Sequence, residues 1–316
     1  MLFSSYFVTH ATTLIILNLY TNNMNHIRNF LKVLTFLFLF FTLQSKAQKA
    51  MPYVAASGDT VTIYSKILNE DRKIYVHYPQ PDSANLNKRF PVLYLMDGES
   101  HFNLLSQYDD YLSRWDVNVI PEMIVVGIVN TKRTRDLTPT ESIINYFRKP
   151  DTSTNSWMKP SGGGELFLKF ISDELMPYIE ANYATQPYKI FAGHSFGGIA
   201  AINCLLAHPG MFDAYIAISP SFWWDGGYVL KQAEKTLQNS TVLNKKLFYS
   251  DAGEGVADHS SFHTNLLAFD SLVTARAVQG LQHAYKYYPQ ETHMTEPVSA
   301  YYDALRFIYK DWKEEK

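Results

Sequence analysis

The sequence predicts an α/β fold, a mostly parallel twisted sheet with helices on both faces. Continuous apolar runs such as "RFPVLYLMDG" and "EMIVVGIVN" recur along the chain, as expected of strands buried on both sides. Between them lie segments with apolar residues three and four apart, such as Phe167, Phe170, Ile171, Leu175, Tyr178 and Ile179, the period of an amphipathic helix. Strands alternating with helices imply a parallel sheet covered on both faces.

Taken in order, "DTVTIYSKIL" and "RKIYVHYPQ" alternate apolar and polar residues and predict an antiparallel pair at a sheet edge. "RFPVLYLMDG" predicts a buried parallel strand that ends in a functional loop at Asp97-Gly98. "EMIVVGIVN", "YKIFAGHS", "FDAYIAIS", "KKLFYSDAG" and "YKYYPQETH" predict five further strands. Helices are expected over "ELFLKFISDELMPYIEANY", from Ile199 to Ala207, over "FHTNLLAFDSLV" and over "PVSAYYDALRFIYKDW". Pro177 predicts a kink or break in the first, because it lacks the N–H that a helix interior needs. Tyr301, Leu305 and Ile308 share one face of the last.

Residues 131–164 do not fit this alternation. They are polar, with proline and glycine, and a connection this long is either an excursion or a lid. Arg133, Arg135, Tyr146, Arg148 and Trp157 within it are candidates to line a pocket. Trp223 and Trp224 of "SFWWD" are further candidates.

The chain of 316 residues is 47% hydrophobic, 18% charged and 15% aromatic, with a net charge of −2. A large core can form. No basic surplus points to nucleic acid, and no acidic block points to a disordered tail. The single cysteine, Cys204, lies in the apolar run "AINCLLA" and reads as a core residue. From Met24, a basic stretch with Arg28 and Lys32 precedes an apolar run from Val33 to Leu43 and small residues at Ser45 and Ala47. This is the pattern of a signal peptide cleaved near Ala47. Residues 1–23 read as an upstream extension and residues 48–316 as one domain. The run is short for a bilayer span, and no cysteine follows it to carry a lipid. An exported, periplasmic protein with no stable membrane span after signal removal is expected.

The sharpest local signal is "KIFAGHSFGGIAA", in which Gly193, His194, Ser195, Phe196 and Gly197 form G-x-S-x-G between a predicted strand and a predicted helix. In that context the serine sits on a strained turn and projects its hydroxyl, while the glycines clear room for strand and helix. The amide of Phe196 then points at the same place and can donate to an oxyanion. His194 reads as a turn residue beside the pocket, not as the base. On such an elbow the expected order is serine, acid, histidine. His293 follows the last predicted strand, where the base belongs; His283 falls ahead of that strand, and His259 and His263 lie in "ADHSSFHTN". For the acid, Glu254 lies just past "KKLFYSDAG" in a glycine-flanked loop. Asp251, Asp258 and Asp225 are alternatives, as is a dyad with no strict acid. A second oxyanion donor is expected from Gly98 or Glu99, beside Asp97.

The stretches "VLYLMDG", "NTKRTRDLTP", "SGGGELFLKFISDELMPYIE", "GHSFGG", "ISPSFWWD", "DAGEG" and "ETHMTEP" followed by "YYDALRFIY" resemble the esterase branch of the α/β hydrolases. That branch holds ferric-siderophore esterases of the enterobactin-esterase type and the esterase D and feruloyl-esterase relatives. The resemblance runs roughly from Val61 to Trp312. It implies the α/β-hydrolase fold and a carboxylic-ester hydrolase without metal or organic cofactor, its serine on Ser195 and its histidine on His293. Many relatives carry a glycine after that histidine, whereas Met294 stands here. The expected substrate is a small-molecule ester. A ferric-siderophore lactone would have its anionic catecholate held by Arg133, Arg135 and Arg148. A feruloyl or acetyl polysaccharide ester, or a ligand merely bound on the same fold without catalysis, are the alternatives.

Overall fold

In the computed structural model, eight strands among the described residues form one sheet. The structure describes residues 24, 27–32, 58–79, 87–239, 242–253, 260–276 and 279–313. Chain contacts divide it into residues 1–54 and residues 55–316. In the first unit Met24 and residues 27–32 are helical; the apolar run from Val33 and the cleavage site near Ala47 lie outside the described residues. No helix among the described residues is long and apolar enough to cross a membrane.

In the second unit β1 (Gly58–Ser65) and β2 (Glu70–His77) form the expected antiparallel hairpin at one edge. Their alternating burial is that of strands with one face in water. Then come β3 (Phe90–Leu95), α1 (Gly98–Leu112), β4 (Ile124–Ile128), α2 (Arg133–Leu137) and α3 (Gly164–Phe170). A π turn over Ile171–Leu175 joins α3 to α4 (Met176–Asn182). The remaining elements are β5 (Thr185–His194), α5 (Phe196–Ala207), β6 (Ala214–Ile218), α6 (Tyr228–Asn239), β7 (Val242–Ala252), α7 (Ser260–Arg276), β8 (Gln279–Tyr288) and α8 (Glu296–Ile308). The strand order is β1-β2-β4-β3-β5-β6-β7-β8, parallel from β4 onward. This is the α/β-hydrolase fold.

Side chains of β3 alternate between two cores, as the two-residue period of a strand requires. Val92 and Tyr94 face one core with Ile171, Ile179, Ile199, Ile202, Val229 and Phe269. Leu93 and Leu95 face the other with Leu105 and Leu112 of α1 and Tyr301, Leu305 and Ile308 of α8. α5 is buried without a break from Phe196 to Leu206, which is why "FGGIAAINCLL" carries no polar stripe. Cys204 lies inside it, as expected of a core residue.

The structure differs from expectation in three places. Pro177 falls in the first turn of α4, and the π turn ahead of it, closed by Met176 N–H to the Ile171 carbonyl, absorbs the missing donor without ending the helix. α1, α2 and α6 have no counterpart among the expected helices. β8 begins at Gln279 and ends at Tyr288, so His283 lies inside the strand opposite Leu247, and the loop carrying His293 starts earlier than expected.

β4 pairs on one side of β3 and β5 on the other. The chain reverses its winding there, and the crevice beyond the carboxyl ends of the strands at such a point is the usual ligand site. The loop at Asp97 leaves β3, and Ser195 leaves β5, at this crevice.

Candidate active site

Ser195 is the pivot between β5 and α5. Its φ of 59° and ψ of −111° are a conformation that non-glycine residues rarely hold, at a cost of about 1–3 kcal/mol. Three backbone hydrogen bonds hold it: Ser195 N–H to the Ile218 carbonyl at 2.9 Å, and Ile199 N–H and Ser221 N–H to the Ser195 carbonyl at 3.0 and 3.2 Å. The glycines are a steric necessity. A Cβ on Gly193 would lie 2.3 Å from the Gly197 carbonyl carbon, and one on Gly198 would lie 2.8 Å from the Ile218 oxygen. α5 starts at Phe196, so the positive end of its dipole faces the elbow.

Ser195 opens on a cavity of about 300 Å³. Its polar wall is Ser195, Ser219, Ser221, Asp251, His293 and Arg133; its apolar wall is Tyr146, Trp157, Phe196, Trp223, Phe262 and Leu266, with Pro220 and Ala252 between. The Ser195 and Ser221 hydroxyls are 3.2 Å apart. His293 stands half-buried in the β8–α8 loop, its ring 4.4 Å from that of His194. The aromatic wall is continuous. Trp157 stacks on Phe196 at 6.0 Å, and Trp223 meets Tyr146 at 5.9 Å and Phe262 at 6.1 Å.

Of the residues singled out in the sequence, Ser195, His293, Phe196, Arg133, Tyr146, Trp157 and Trp223 reach this cavity. Others do not. Gly98 and Glu99 open α1 away from its wall, and Glu99 is bonded to Asn130. Asp97 stands behind the wall, taking 2.6 and 2.9 Å bonds from Arg133 and a 2.6 Å bond from Asn130. His194 is buried, because β5 continues through it. Arg135 turns to Glu70 of β2 and to Asp136, its neighbour in α2. Arg148 closes an exposed turn with the Asn145 carbonyl. Trp224 is buried, its indole N–H donating to the Thr140 carbonyl at 3.1 Å. Asp225 lies in the turn after β6, outside the wall. Glu254 and Asp258 lie outside the described residues. Asp251 does line the cavity, but its carboxylate is bonded to His263 Nδ1.

The sequence reading missed Ser219, Ser221, Phe262 and Leu266 as wall residues. The first two lie in "ISPSFWWD", next to the tryptophans it did select. The segment 131–164, read from the sequence as an excursion or a lid, is partly regular and partly buried. Its start is α2, Met158 within it is fully buried, and Gly162 N–H and Gly164 N–H bond to Thr138. It contributes Tyr146 and Trp157 to the wall.

Burial pushes His194 well below the usual imidazole range, and the neighbouring His293, His101 and Arg133 push the same way, so His194 is neutral. Burial opposes the charge of Arg133, but Asp97 outweighs it and holds the guanidinium above its ordinary value. Burial also raises Asp251, against the bond from His263. Among the described residues, one group could hold a metal: His77, Asp109 and Asp110, with ligand atoms within 4.8 Å of one another. It lies between β2 and α1, apart from the cavity, with His77 Nε2 already 3.3 Å from Asp109 Oδ2 and 3.1 Å from Asp110 Oδ1.

The family profile described as "Putative esterase" matches residues 65–290. The chain belongs to this esterase family. It is a carboxylic-ester hydrolase. The matched region holds Ser195 and ends three residues short of His293. Over 255 residues the esterase is 29% identical to the ferri-bacillibactin esterase BesA of Bacillus subtilis, covering 76% of this chain and 86% of that one. Among solved structures, an IroE-like serine hydrolase from Shewanella oneidensis superposes with a TM-score of 0.76 at 32% identity, over 82% of each chain. The siderophore hydrolase EstB from Aspergillus nidulans shares the fold, with a TM-score of 0.67 at 21% identity over 84% of this chain and 99% of that one.

Proposed function

We propose that the esterase cleaves siderophore-type esters through an acyl-enzyme on Ser195, with His293 as general base. The observation that carries this is the shared cavity. A serine held at a strained elbow and the histidine of the loop after β8 open on one space walled by aromatic rings. His293 takes the proton of the Ser195 hydroxyl as its oxygen attacks the ester carbonyl. The tetrahedral oxyanion is met by the Phe196 amide at the start of α5. The alcohol leaves with the proton from His293, and water activated by the same imidazole then cleaves the acyl-enzyme. Glu254 is the proposed orienting acid, since Asp251 is engaged by His263.

The substrate class rests on the names of the relatives and on the wall. Tyr146, Trp157, Phe196 and Trp223 offer faces on which a planar aromatic acyl group can stack. Of the three arginines considered as anion partners, only Arg133 is at the wall. We further propose export with cleavage after Ala47, in line with the pattern from Met24 to Gln48; N-terminal sequencing of the secreted protein tests it.

Ser195→Ala removes the nucleophile and leaves only binding and oxyanion stabilisation, a loss of several orders of magnitude in kcat. The variant should remain folded and should not be labelled by a fluorophosphonate, whereas the parent should be labelled once, at Ser195. Wild-type turnover of a p-nitrophenyl ester by Ser195→Ala would overturn the reading. A panel of a tris-catecholate trilactone, a feruloyl ester and an acetylated sugar, compared by kcat/KM, should rank the trilactone first.

A further inference from the structure

Glu296, the first residue of α8, is fully buried and has no role in the mechanism above. The rest of its helix face is apolar: Ala300, Tyr301, Ala304, Leu305 and Ile308 pack into the core. A carboxyl group at the head of that row is costly to bury, and an apolar side chain of similar volume would serve packing at least as well. Its bonding shows what it joins. Ser219 Oγ, just past β6, donates to one carboxylate oxygen, and Ser250 Oγ in β7 donates to the other at 2.5 Å.

These contacts lead to both reacting groups. Ser219 is a cavity residue in the left-handed region, φ 39°, and its amide bonds the Ser250 carbonyl at 3.0 Å. Two residues on, Ser221 places its hydroxyl 3.2 Å from that of Ser195 and its amide 3.2 Å from the Ser195 carbonyl. On the other side, the Glu296 amide donates to the Thr292 carbonyl at 2.9 Å. That bond closes the turn on which His293 stands, together with Thr295 N–H to the same carbonyl at 3.1 Å and Thr292 N–H to Thr295 Oγ1 at 2.9 Å. One residue thus ties the loop against the nucleophile, by its side chain, to the turn that carries the base, by its main chain.

We infer that Glu296 is a positioning residue that fixes His293 relative to Ser195 through the Ser219–Ser221 loop and the 292–295 turn. The inference rests on the serine–histidine reading above. A misplacement of the two reacting groups by a fraction of an ångström lowers the rate of proton transfer and attack while leaving the aromatic wall, and so substrate affinity, in place.

The test is Glu296→Gln in the full chain, with Ser250→Ala as a second variant. Gln keeps the shape of Glu but cannot accept from both serines. Ser250 does not line the cavity, and its loss removes one of the two anchoring bonds. The readouts are kcat per fluorophosphonate-titrated site, KM for a p-nitrophenyl ester, and the second-order rate of fluorophosphonate labelling. For Glu296→Gln kcat should fall about tenfold to a hundredfold, with KM within about twofold and labelling slowed by the same factor as kcat. Ser250→Ala should show the same signature at smaller size. Should Glu296→Gln fail to fold, Ser250→Ala decides alone. Variants that match the parent in kcat and labelling rate overturn the inference, as does a loss that appears in KM alone. A wild-type chain that is neither labelled nor active overturns the serine–histidine reading instead.

Discussion

Ser195 shows how much of the site is decided by single residues. Its positive φ is tolerated because Gly193 leaves room for the Gly197 backbone, so the strain and the glycine are one feature. Gly193→Ala would drive a methyl group to 2.3 Å from a main-chain carbon, a contact no side-chain rotation relieves. We expect that variant to lose esterase activity entirely and to melt well below the parent in a thermal scan. This part of the site was legible in the sequence, because a G-x-S-x-G elbow is a local device whose atoms all lie within a few residues. His293 is expected from its order along the chain, and it lines the same cavity as Ser195. Ser221 was not, since a serine earns its place beside Ser195 only when β6 is laid next to β5.

At the scale of elements, the connection between β4 and α3 reads from the sequence as a polar excursion or a lid. Its Thr140 carbonyl takes the Trp224 indole N–H, and it presents Tyr146 and Trp157 to the cavity. Trp157 is 51% exposed and stacks on Phe196, so it contributes little to the core. Trp157→Ala should raise KM for an aromatic acyl ester several-fold and shift stability by only about 0.5 kcal/mol, as measured by steady-state kinetics and urea denaturation. α2, which carries Arg133, is anchored differently. Arg72 of β2 and Asp136 of α2 form an ion pair at 2.6 Å, both almost fully buried, and Arg72 also lies over the Phe167 ring at 5.2 Å. Asp136→Ala leaves that guanidinium with only Glu70 as a charge partner. It should cost about 3–5 kcal/mol in urea denaturation. The sequence marks both residues as charged and says nothing of their pairing, since 64 positions separate them.

For the molecule as a whole, buried carboxyls set how stability changes with pH. Burial pushes Glu296 up to about 7, against the bonds from Ser219 and Ser250, and Asp251 and Glu291 add to the rise. Tyr285 and Tyr288 of β8 and Tyr301 of α8 also face its charge. Burial likewise pushes Asp109 up to about 6, against His77 and the Met123 amide. A carboxyl whose value is raised in the folded state holds its proton more tightly there than in the unfolded chain. Its contribution is complete below its ordinary value near 4.5 and is lost as pH rises through about 7. For Glu296 the change is about 3 kcal/mol at most. The melting temperature should therefore fall between pH 5 and pH 8, and Glu296→Gln should flatten that fall; a melting temperature that rises over this range would contradict it. The sequence by itself determined the parallel sheet, the edge hairpin and the elbow at Ser195, because strand burial, helical period and a tight turn are written in neighbouring residues; its resemblance to the esterases lies in the motifs themselves. Only the tertiary structure decided which aromatics wall the cavity, that Asp251 turns to His263, that Arg135 and Arg148 face elsewhere, and that a buried glutamate joins the two sides of the site. Those facts depend on which strands lie side by side, and a parallel sheet places side by side residues that the chain keeps far apart.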